Sequence, residues 1–465
     1  MDILSVLRQS GPLQAGALAT SLGISRATLS RQVKQAGQGL IALGQARRTA
    51  YAARRPVRGN ALPLSLFSVD SVGRLAEVGQ LSPVYPDGTA LALSGPFEWP
   101  LDGAMADGWF EGLPYFMQDL RPQGFLGRHF ARRYAAVLQV SEDPNTWSDD
   151  DALHVMAVLG DDLPGNLLLG EASCRRWLDH VQQVTSGRRE AGITDERVLE
   201  AYPALAAEAL STGIVGSSAG GEFPKFTALR QSADGRMQHV LVKFSGADDA
   251  PGTLRWSDLL ICEHLAAQVV AGRLGLAAAQ SRILQAGGRT FLEVDRFDRH
   301  GALGRSPVVS WFAINASVLG QLGKPWPEAL TTLLPTKWFT AETVAQVRRL
   351  WWFGRLIGNT DMHDGNLSFV PTDTPTDAPA PLALAPVYDM LPMAYAPVRG
   401  VELPPGTFQP QLPLPADAPA WSDAAEAASA FWDLAAQDPR ISADFRRLCG
   451  ENLERLRALQ SSMRM

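Results

Sequence analysis

One polar segment constrains the fold of this chain more than any other: Asp361 and Asn366 lie five positions apart in IGNTDMHDGNLSF (357–369). Asp389 follows in the apolar stretch LAPVYDML (384–391), where an uncompensated carboxylate would be costly to bury. A Mg²⁺ ion held by Asn366 and Asp389 would explain that carboxylate, because Mg²⁺ accepts one or two protein oxygens and takes its other ligands from phosphates and water. A turn rich in Asn and Asp would explain either segment alone.

A glycine-rich segment, GIVGSSAGGEFPKF (213–226), precedes this pair. Its small residues allow a turn whose backbone N–H groups can point at phosphate oxygens. The residues predicted to line such a phosphate site are Gly216, Ser217, Ser218, Gly220 and Gly221. The segment is not a Walker A loop, because no Gly-Lys-Ser/Thr follows, and a glycine-rich surface turn is the alternative.

Lys243 lies in a short apolar strand, HVLVKF (239–244), where a lysine needs an anionic partner or a route to solvent. In a kinase-like site, a lysine on the strand after the glycine-rich turn faces the nucleotide phosphates. Glu263, on the predicted helix 256–273, could hold that lysine as the helix glutamate does in protein kinases. The alternatives are a lysine reaching solvent from an edge strand and a salt-bridged surface glutamate.

Taken in order, these segments resemble the HipA family of serine/threonine kinases, and particularly its members with an N-terminal helix-turn-helix. The motifs that carry the resemblance are GSSAGGEFPKF (216–226), LVKF (241–244), GNTDMHDGNLSF (358–369) and PVYDML (386–391). They match the family even though Asn-Thr-Asp replaces the His-Arg-Asp of ordinary protein kinases. The same Asp-to-Asn spacing occurs in the protein-kinase catalytic loop.

The resemblance implies an α+β, two-lobed kinase-like fold over residues 65–465, with ATP and Mg²⁺ as cofactors. It implies Asp361 as the catalytic base, Asn366 and Asp389 as Mg²⁺ ligands and Lys243 on ATP. Glu263 and His363 are predicted to belong to the same ATP site. Family members can phosphorylate a serine of the glycine-rich loop in themselves; Ser218 is the first candidate here and Ser217 the second.

The implied substrate is a protein hydroxyl, as in relatives that phosphorylate aminoacyl-tRNA synthetases, although no motif in this chain indicates that enzyme class or another translation factor. Relatives are usually restrained by a separate DNA-binding antitoxin, so an antitoxin is also an expected partner. One rival interpretation is a DNA-binding transcription regulator whose degenerate kinase fold only senses a nucleotide. Another is a nuclease that uses the same metal site.

The N-terminal 58 residues contain nine Lys and Arg residues and one acid, a net charge of +8 in a chain whose total is −6. Apolar periodicity predicts helices over 2–8 and from Ala15 to Leu22, and Ser25 is a suitable N-cap for a third helix through Ala36. Two short strands, 40–43 and 49–52, would enclose a basic wing. The sequence therefore predicts a winged helix-turn-helix over residues 1–55.

Such a module would bind duplex DNA through side chains that reach base edges and phosphates. The predicted contact residues are Ser25, Arg26, Thr28, Arg31, Lys34, Arg47 and Arg48. The alternatives are a solvated basic arm and a three-helix unit that binds protein.

Three further regions complete the predicted organisation: a scaffold subdomain over 56–200, a kinase N-lobe over 201–300 and a mostly helical C-lobe over 301–465. Residues 55–64 are predicted to be a linker, and residues 371–386 a surface loop. No apolar run of about 18 residues occurs, so no membrane partner is expected. The absence of a secretory signal and three scattered cysteines indicate a cytoplasmic protein.

Overall fold

The computed structural model describes residues 2–95, 97–188, 192–211, 223–372, 381–398, 402–404 and 408–463. Helices and sheets both occur along the length of this part of the chain, so the predicted α+β class is confirmed. Most of the glycine-rich segment, including Gly216, Ser217, Ser218, Gly220 and Gly221, lies outside the described residues.

The N-terminal module has the three predicted helices, Ile3–Ser10, Ala15–Leu22 and Arg26–Ala36. Gly23 ends the second helix with a φ of +64°, and the Ser25 hydroxyl caps the third by accepting a hydrogen bond from the N–H of Thr28. A three-stranded antiparallel sheet closes the module, with the spatial order Leu13–Gln14, Ala50–Ala53, Leu40–Leu43. The strand Ala50–Ala53 is shifted by one residue from the predicted strand 49–52. Its pairing with Leu40–Leu43 runs from Ala50 opposite Leu43 to Ala53 opposite Leu40.

The middle region is a five-stranded antiparallel sheet flanked by helices. Its strands, in spatial order, are Trp109–Phe110, Thr89–Leu93, Leu75–Pro83, Leu64–Val69 and Leu167–Leu169. Its helices are Gly103–Ala106, Tyr115–Gln118, Gly124–Leu138, Asp149–Leu159 and Gly170–Thr185.

The predicted linker 55–64 connects strand Ala50–Ala53 to strand Leu64–Val69 and contains neither helix nor strand before Leu64, but it is held against the middle region. Arg55 pairs with Asp150, and Arg58 Nη2 lies 2.6 Å from Asp151 Oδ1. Both acids stand in the first turn of helix Asp149–Leu159, so these arginines attach the N-terminal module to the middle region.

The third region is a five-stranded sheet with a long helix against it. In spatial order its strands are Ser281–Ala286, Arg289–Asp295, Met237–Phe244, Lys225–Gln231 and Ile193–Thr194, of which the last pairs in parallel. Its helices are Val198–Ser211 and Pro251–Arg273. The strand of Lys243 is central, so the edge-strand interpretation of that lysine is wrong.

The C-terminal region is mostly helical. Its helices are Trp311–Ile314, Trp326–Thr331, Ala341–Leu356, Ala418–Gln437 and Ala443–Met463, with a π-helical turn at Asn315–Leu319. Two small antiparallel sheets accompany them, formed by Arg299–His300 with Gly304–Arg305 and by Val309–Ser310, Ser368–Pro371 and Leu382–Leu384. The predicted surface loop 371–386 is therefore wrong at Leu382–Leu384, where buried Leu382 pairs with Pro371.

One apolar cluster joins the middle region to both later regions. It includes Leu66 and Met117 of the middle region, Leu260 of the long helix, and Phe353 and Phe431 of the C-terminal helices. Burial of this continuous surface fixes the three regions against one another. No helix in the described part of the chain is long and apolar enough to cross a membrane.

Candidate active site

A buried ion cluster holds Lys243 between two carboxylates. Lys243 Nζ lies 2.7 Å and 2.9 Å from the two carboxylate oxygens of Glu263 and also contacts Asp389 Oδ1. The side chains of Lys243 and Glu263 are 5% and 8% exposed. The predicted Lys243–Glu263 contact is confirmed, and the surface-glutamate alternative is wrong because Glu263 is buried.

The three groups differ in how the cluster affects their ionisation. Burial alone would lower the pKa of Lys243, but Asp389 and Glu263 more than compensate, and its pKa lies above the usual value. Burial raises the pKa of Glu263 even though Lys243 opposes the shift. Burial acts in the same direction on Asp389, but Lys243 and Lys225 outweigh it and the pKa of Asp389 is lowered. The cluster therefore favours the charged forms of Lys243 and Asp389.

Asp389 also has an unusual backbone. Its φ is +57°, a left-handed conformation that few non-glycine residues adopt. Its carbonyl oxygen accepts a hydrogen bond from Asn359 Nδ2 at 3.3 Å. Since such conformations cluster at functional sites, the turn at Asp389 is consistent with a carboxylate held in place for binding.

The segment after helix Ala341–Leu356 forms a loop braced by its own amides. The Asn359 side-chain oxygen accepts a hydrogen bond from the N–H of Asp361 at 3.0 Å, and Asn366 Nδ2 donates to the Asp361 carbonyl at 2.8 Å. Asn359 is 3% exposed. Because it bonds both to the backbone of Asp361 and to the backbone of Asp389, Asn359 links the loop of Asp361 to the turn that carries Asp389.

The two aspartates of this loop have different environments. Asp361 and His363 are exposed, whereas Asp364 is buried and its Oδ2 accepts a hydrogen bond from Asn315 Nδ2 at 2.9 Å. Burial raises the pKa of Asp364, against the effect of that bond. Asp364 therefore anchors the loop to the π-helical turn, and Asp361 faces solvent where a reacting group can reach it.

A cavity of about 420 Å³ brings the predicted residues together: Lys243, Asp361, His363, Asn366 and Asp389 all line it. Glu263 stands behind Lys243 and holds it from the helix side. A larger cavity of about 640 Å³, between the first turns of helices Pro251–Arg273 and Ala443–Met463, contains none of the predicted residues.

The donor set suits a Mg²⁺ ion shared with phosphates. Among the described residues no group of three or more His, Cys, Asp or Glu side chains could enclose a metal. Asn366 donates through its nitrogen to Asp361, which leaves its amide oxygen as a ligand, and Asp389 offers an ionised carboxylate. Two protein oxygens are what a Mg²⁺–nucleotide site needs.

Comparison with known proteins agrees with this geometry. Residues 217–449 match the HipA-like C-terminal domain, and residues 60–178 match the middle domain of YjjJ-like toxins. Toxin YjjJ of Escherichia coli (strain K12) is 39% identical over 466 residues, which cover 100% of this chain and 99% of that protein. The chain belongs to the HipA family of toxins.

The HipA-like fold is also seen in a solved structure. A chain of the Shewanella oneidensis MR-1 complex of HipA, HipB and operator DNA superposes with a TM-score of 0.53 at 15% identity. The match covers 85% of this chain and 96% of that chain. The predicted two-lobed HipA-type fold is therefore confirmed.

Several cavity residues of this HipA-family chain escaped the sequence-based prediction. Lys225 faces Lys243 across the strand pair, and its position in FPKF at the end of the glycine-rich segment was the available signal. Asp119, Gln123 and Phe312 come from segments without any motif, so only the packing of distant regions brings them to the cavity.

The N-terminal residues predicted for DNA are mostly on the surface. Arg26, Arg31, Lys34 and Arg47 are exposed, and the third helix buries Leu29. Three predicted contacts also have structural partners: Ser25 is the helix cap, Thr28 accepts a hydrogen bond from Arg31 at 3.3 Å, and Arg48 lies 3.4 Å from Asp107.

Lys243→Met is expected to lower the free energy of unfolding by about 3–5 kcal/mol, because it leaves two carboxylates without their shared cation. Adding Glu263→Gln should recover part of that loss, since the uncompensated charge on the helix is then gone. Urea unfolding measures both effects, with Lys324→Met, at an exposed lysine, as the control. A loss below about 1 kcal/mol for Lys243→Met would show that the cluster contributes little.

Proposed function

We propose that this protein transfers the γ-phosphate of ATP to a hydroxyl group of a protein substrate. The observation that carries the proposal is the convergence of the Lys243–Glu263–Asp389 cluster and exposed Asp361 on one cavity. In kinases a lysine held by a helix glutamate orients the nucleotide phosphates, and an aspartate of the catalytic loop accepts the proton of the acceptor hydroxyl.

Each residue then has a defined part. Lys243, fixed by Glu263, holds the phosphate chain, and Lys225 faces the same space from the adjacent strand. Asp361 takes the hydroxyl proton, and its braced backbone keeps it in position. Asn366 and Asp389 hold Mg²⁺, which neutralises charge on the phosphates when bound.

The charge of the cavity supports binding of the nucleotide together with its metal. Its lining includes two lysines, Lys225 and Lys243, against three carboxylates, Asp119, Asp361 and Asp389. A nucleotide alone would bring further negative charge to this surface. A divalent cation compensates that repulsion, so we expect ATP to bind as its Mg²⁺ complex.

The test is a comparison of the cellular phosphoproteome after brief expression of the wild type and of Asp361→Ala. Phosphoserine or phosphothreonine sites that appear only with the wild type would support a protein kinase and would identify its substrate, such as an aminoacyl-tRNA synthetase or another translation factor. Identical phosphoproteomes, with ATP still bound, would favour the nucleotide-sensing regulator. Self-phosphorylation at Ser218 or Ser217 stays a prediction.

We also propose that residues 2–55 bind duplex DNA. The third helix presents Arg26, Arg31 and Lys34 to solvent, and Arg47 lies exposed in the segment between the last two strands. Arg54 donates to Ser82 at 2.9 Å, and Arg55 and Arg58 pair with acids, so these three arginines serve internal contacts. The positive charge available to DNA is consequently smaller than the net charge of +8 counted from the sequence of the first 58 residues. A separate antitoxin that adds DNA contacts fits the proposal.

Replacing Arg26 and Arg31 by alanine should weaken DNA binding and flatten its salt dependence. The slope of log affinity against log salt should fall by about 0.9 for each DNA phosphate that the variant no longer neutralises. Fluorescence anisotropy with a duplex between 50 and 200 mM salt measures the slope, and Arg236→Ala removes an exposed arginine far along the sequence as the control. Binding that ignores salt would contradict an interface with the DNA backbone.

A further inference from the structure

Asp119 is a carboxylate on the wall of the catalytic cavity that the proposed reaction does not use. It belongs to the middle region, directly after helix Tyr115–Gln118, and it reaches the start of helix Trp311–Ile314. Its Oδ2 accepts a hydrogen bond from the N–H of Ser310 at 2.6 Å, and its Oδ1 accepts one from the Ser310 hydroxyl at 2.7 Å.

Asp119 takes part in no ion pair with a Lys, Arg or His among the residues that the structure describes. Within the described part of the chain, neutral donors on Ser310 and Gln123 are its hydrogen-bond partners. Burial raises the pKa of Asp119, and these hydrogen bonds only partly oppose the shift. Asp389, in the same cavity, has Lys243. A cation that reached Asp119 would therefore pair with a carboxylate that burial has already desolvated, so that the desolvation of the cation alone would oppose the contact.

Phe312 provides an apolar surface beside this carboxylate. The other three residues of its helix, Trp311, Ala313 and Ile314, are fully buried, whereas Phe312 is 43% exposed and lines the cavity. An exposed aromatic ring next to a binding cavity is typical of a contact surface for a partner.

The two walls of the cavity differ in chemistry. Lys225 and Lys243 form the wall that suits phosphates, and Asp119 and Phe312 belong to the wall built from the middle region and the helix that starts at Trp311. The acceptor hydroxyl must meet Asp361 from the side that the phosphate chain leaves open.

We propose that Asp119 and Phe312 form the subsite for the acceptor segment of the substrate, and that this segment carries a lysine or arginine and an apolar residue close to its serine or threonine. This inference rests on the proposed kinase function. The middle region, whose residues 60–178 match the middle domain of YjjJ-like toxins, thereby contributes to substrate choice.

The test is phosphorylation of a peptide library with a fixed serine or threonine and randomised flanking positions, using the full chain with Mg-ATP. The wild type should select lysine or arginine at one flanking position. Asp119→Asn should raise KM for the selected basic peptide about tenfold, leave KM for ATP unchanged, and leave the KM of a peptide with glutamine at that position unchanged. Phe312→Ala should remove the apolar selection and keep the basic one.

Two variants separate recognition from structure. Ser310→Ala removes one hydrogen bond to Asp119 but keeps its charge, so selection of basic residues should survive. Glu111→Gln removes an exposed carboxylate of the same region that does not line the cavity, and activity should match the wild type. If Ser310→Ala loses selection as Asp119→Asn does, Asp119 acts only through the local structure and the subsite is wrong.

The outcomes also distinguish this inference from the kinase proposal. A wild type that phosphorylates peptides without any preference for basic flanks contradicts the subsite and supports the kinase. An Asp119→Asn variant that keeps the preference does the same. A wild type that binds Mg-ATP and phosphorylates neither peptides nor protein contradicts both.

Discussion

Asp361→Asn should slow phosphoryl transfer by about 10²- to 10⁴-fold and leave the affinity for Mg-ATP close to that of the wild type. The substitution keeps the size of the side chain and removes its ability to accept a proton. Asp361 is exposed, and its contacts with Asn359 and Asn366 use backbone atoms that asparagine also has. The loop should therefore keep its shape while it loses the base.

Single-turnover kinetics with radiolabelled ATP measure this loss, and calorimetry measures nucleotide affinity. Thermal unfolding should be unchanged, which separates Asp361 from Asp364, whose replacement by asparagine would disturb a buried bond to Asn315. An Asp361→Asn protein with wild-type turnover would remove Asp361 from the mechanism and leave the kinase proposal without its base.

Asp389→Ala should lower the affinity for Mg-ATP by at least about 100-fold, because outer-shell partners alone already contribute about 10- to 100-fold to metal affinity. The fold should survive, since Lys243 keeps Glu263 as its partner at 2.7 Å. ATP without Mg²⁺ should bind the variant no more weakly than the wild type, because one negative charge has left the cavity.

Titration calorimetry with ATP, with and without Mg²⁺, measures the affinity of the Asp389→Ala variant for Mg-ATP and for metal-free ATP. Glu263→Gln provides the contrast, because it changes the same cluster without removing a proposed metal ligand. Equal enhancement of ATP binding by Mg²⁺ in the wild type and in Asp389→Ala would show that the metal is held elsewhere.

The sequence predicted the chemical centre of this protein because its residues are anomalous where they stand. A lysine in an apolar strand and a carboxylate in an apolar stretch each need a partner, and the order of the segments indicated which partner each would find. The Lys243–Glu263 contact confirms that reasoning. Capping and glycine positions likewise fixed the N-terminal helices, because those signals act within a few residues.

Two features of the site could not be predicted without the fold. One is the additional contact of Lys243 with Asp389, and the other is that Asp361 is exposed while Asp364 is buried. Both aspartates of the loop are equally polar in sequence, and only packing against the π-helical turn buries one and exposes the other. The attachment of Arg55 and Arg58 to helix Asp149–Leu159 was missed for the same reason, since a Pro- and Gly-containing stretch indicates a turn and says nothing about distant partners.

The sequence alone determined the family, the α+β class and the central polar residues Lys243, Glu263 and Asp361, because short motifs and rare polar positions carry that information locally. Tertiary structure alone decided the second wall of the cavity. Asp119 and Ser310 stand 191 residues apart and match no motif, yet burial of one continuous apolar core brings them to 2.6 Å. Contacts of that kind depend on how whole regions pack, and no local pattern in the chain encodes them.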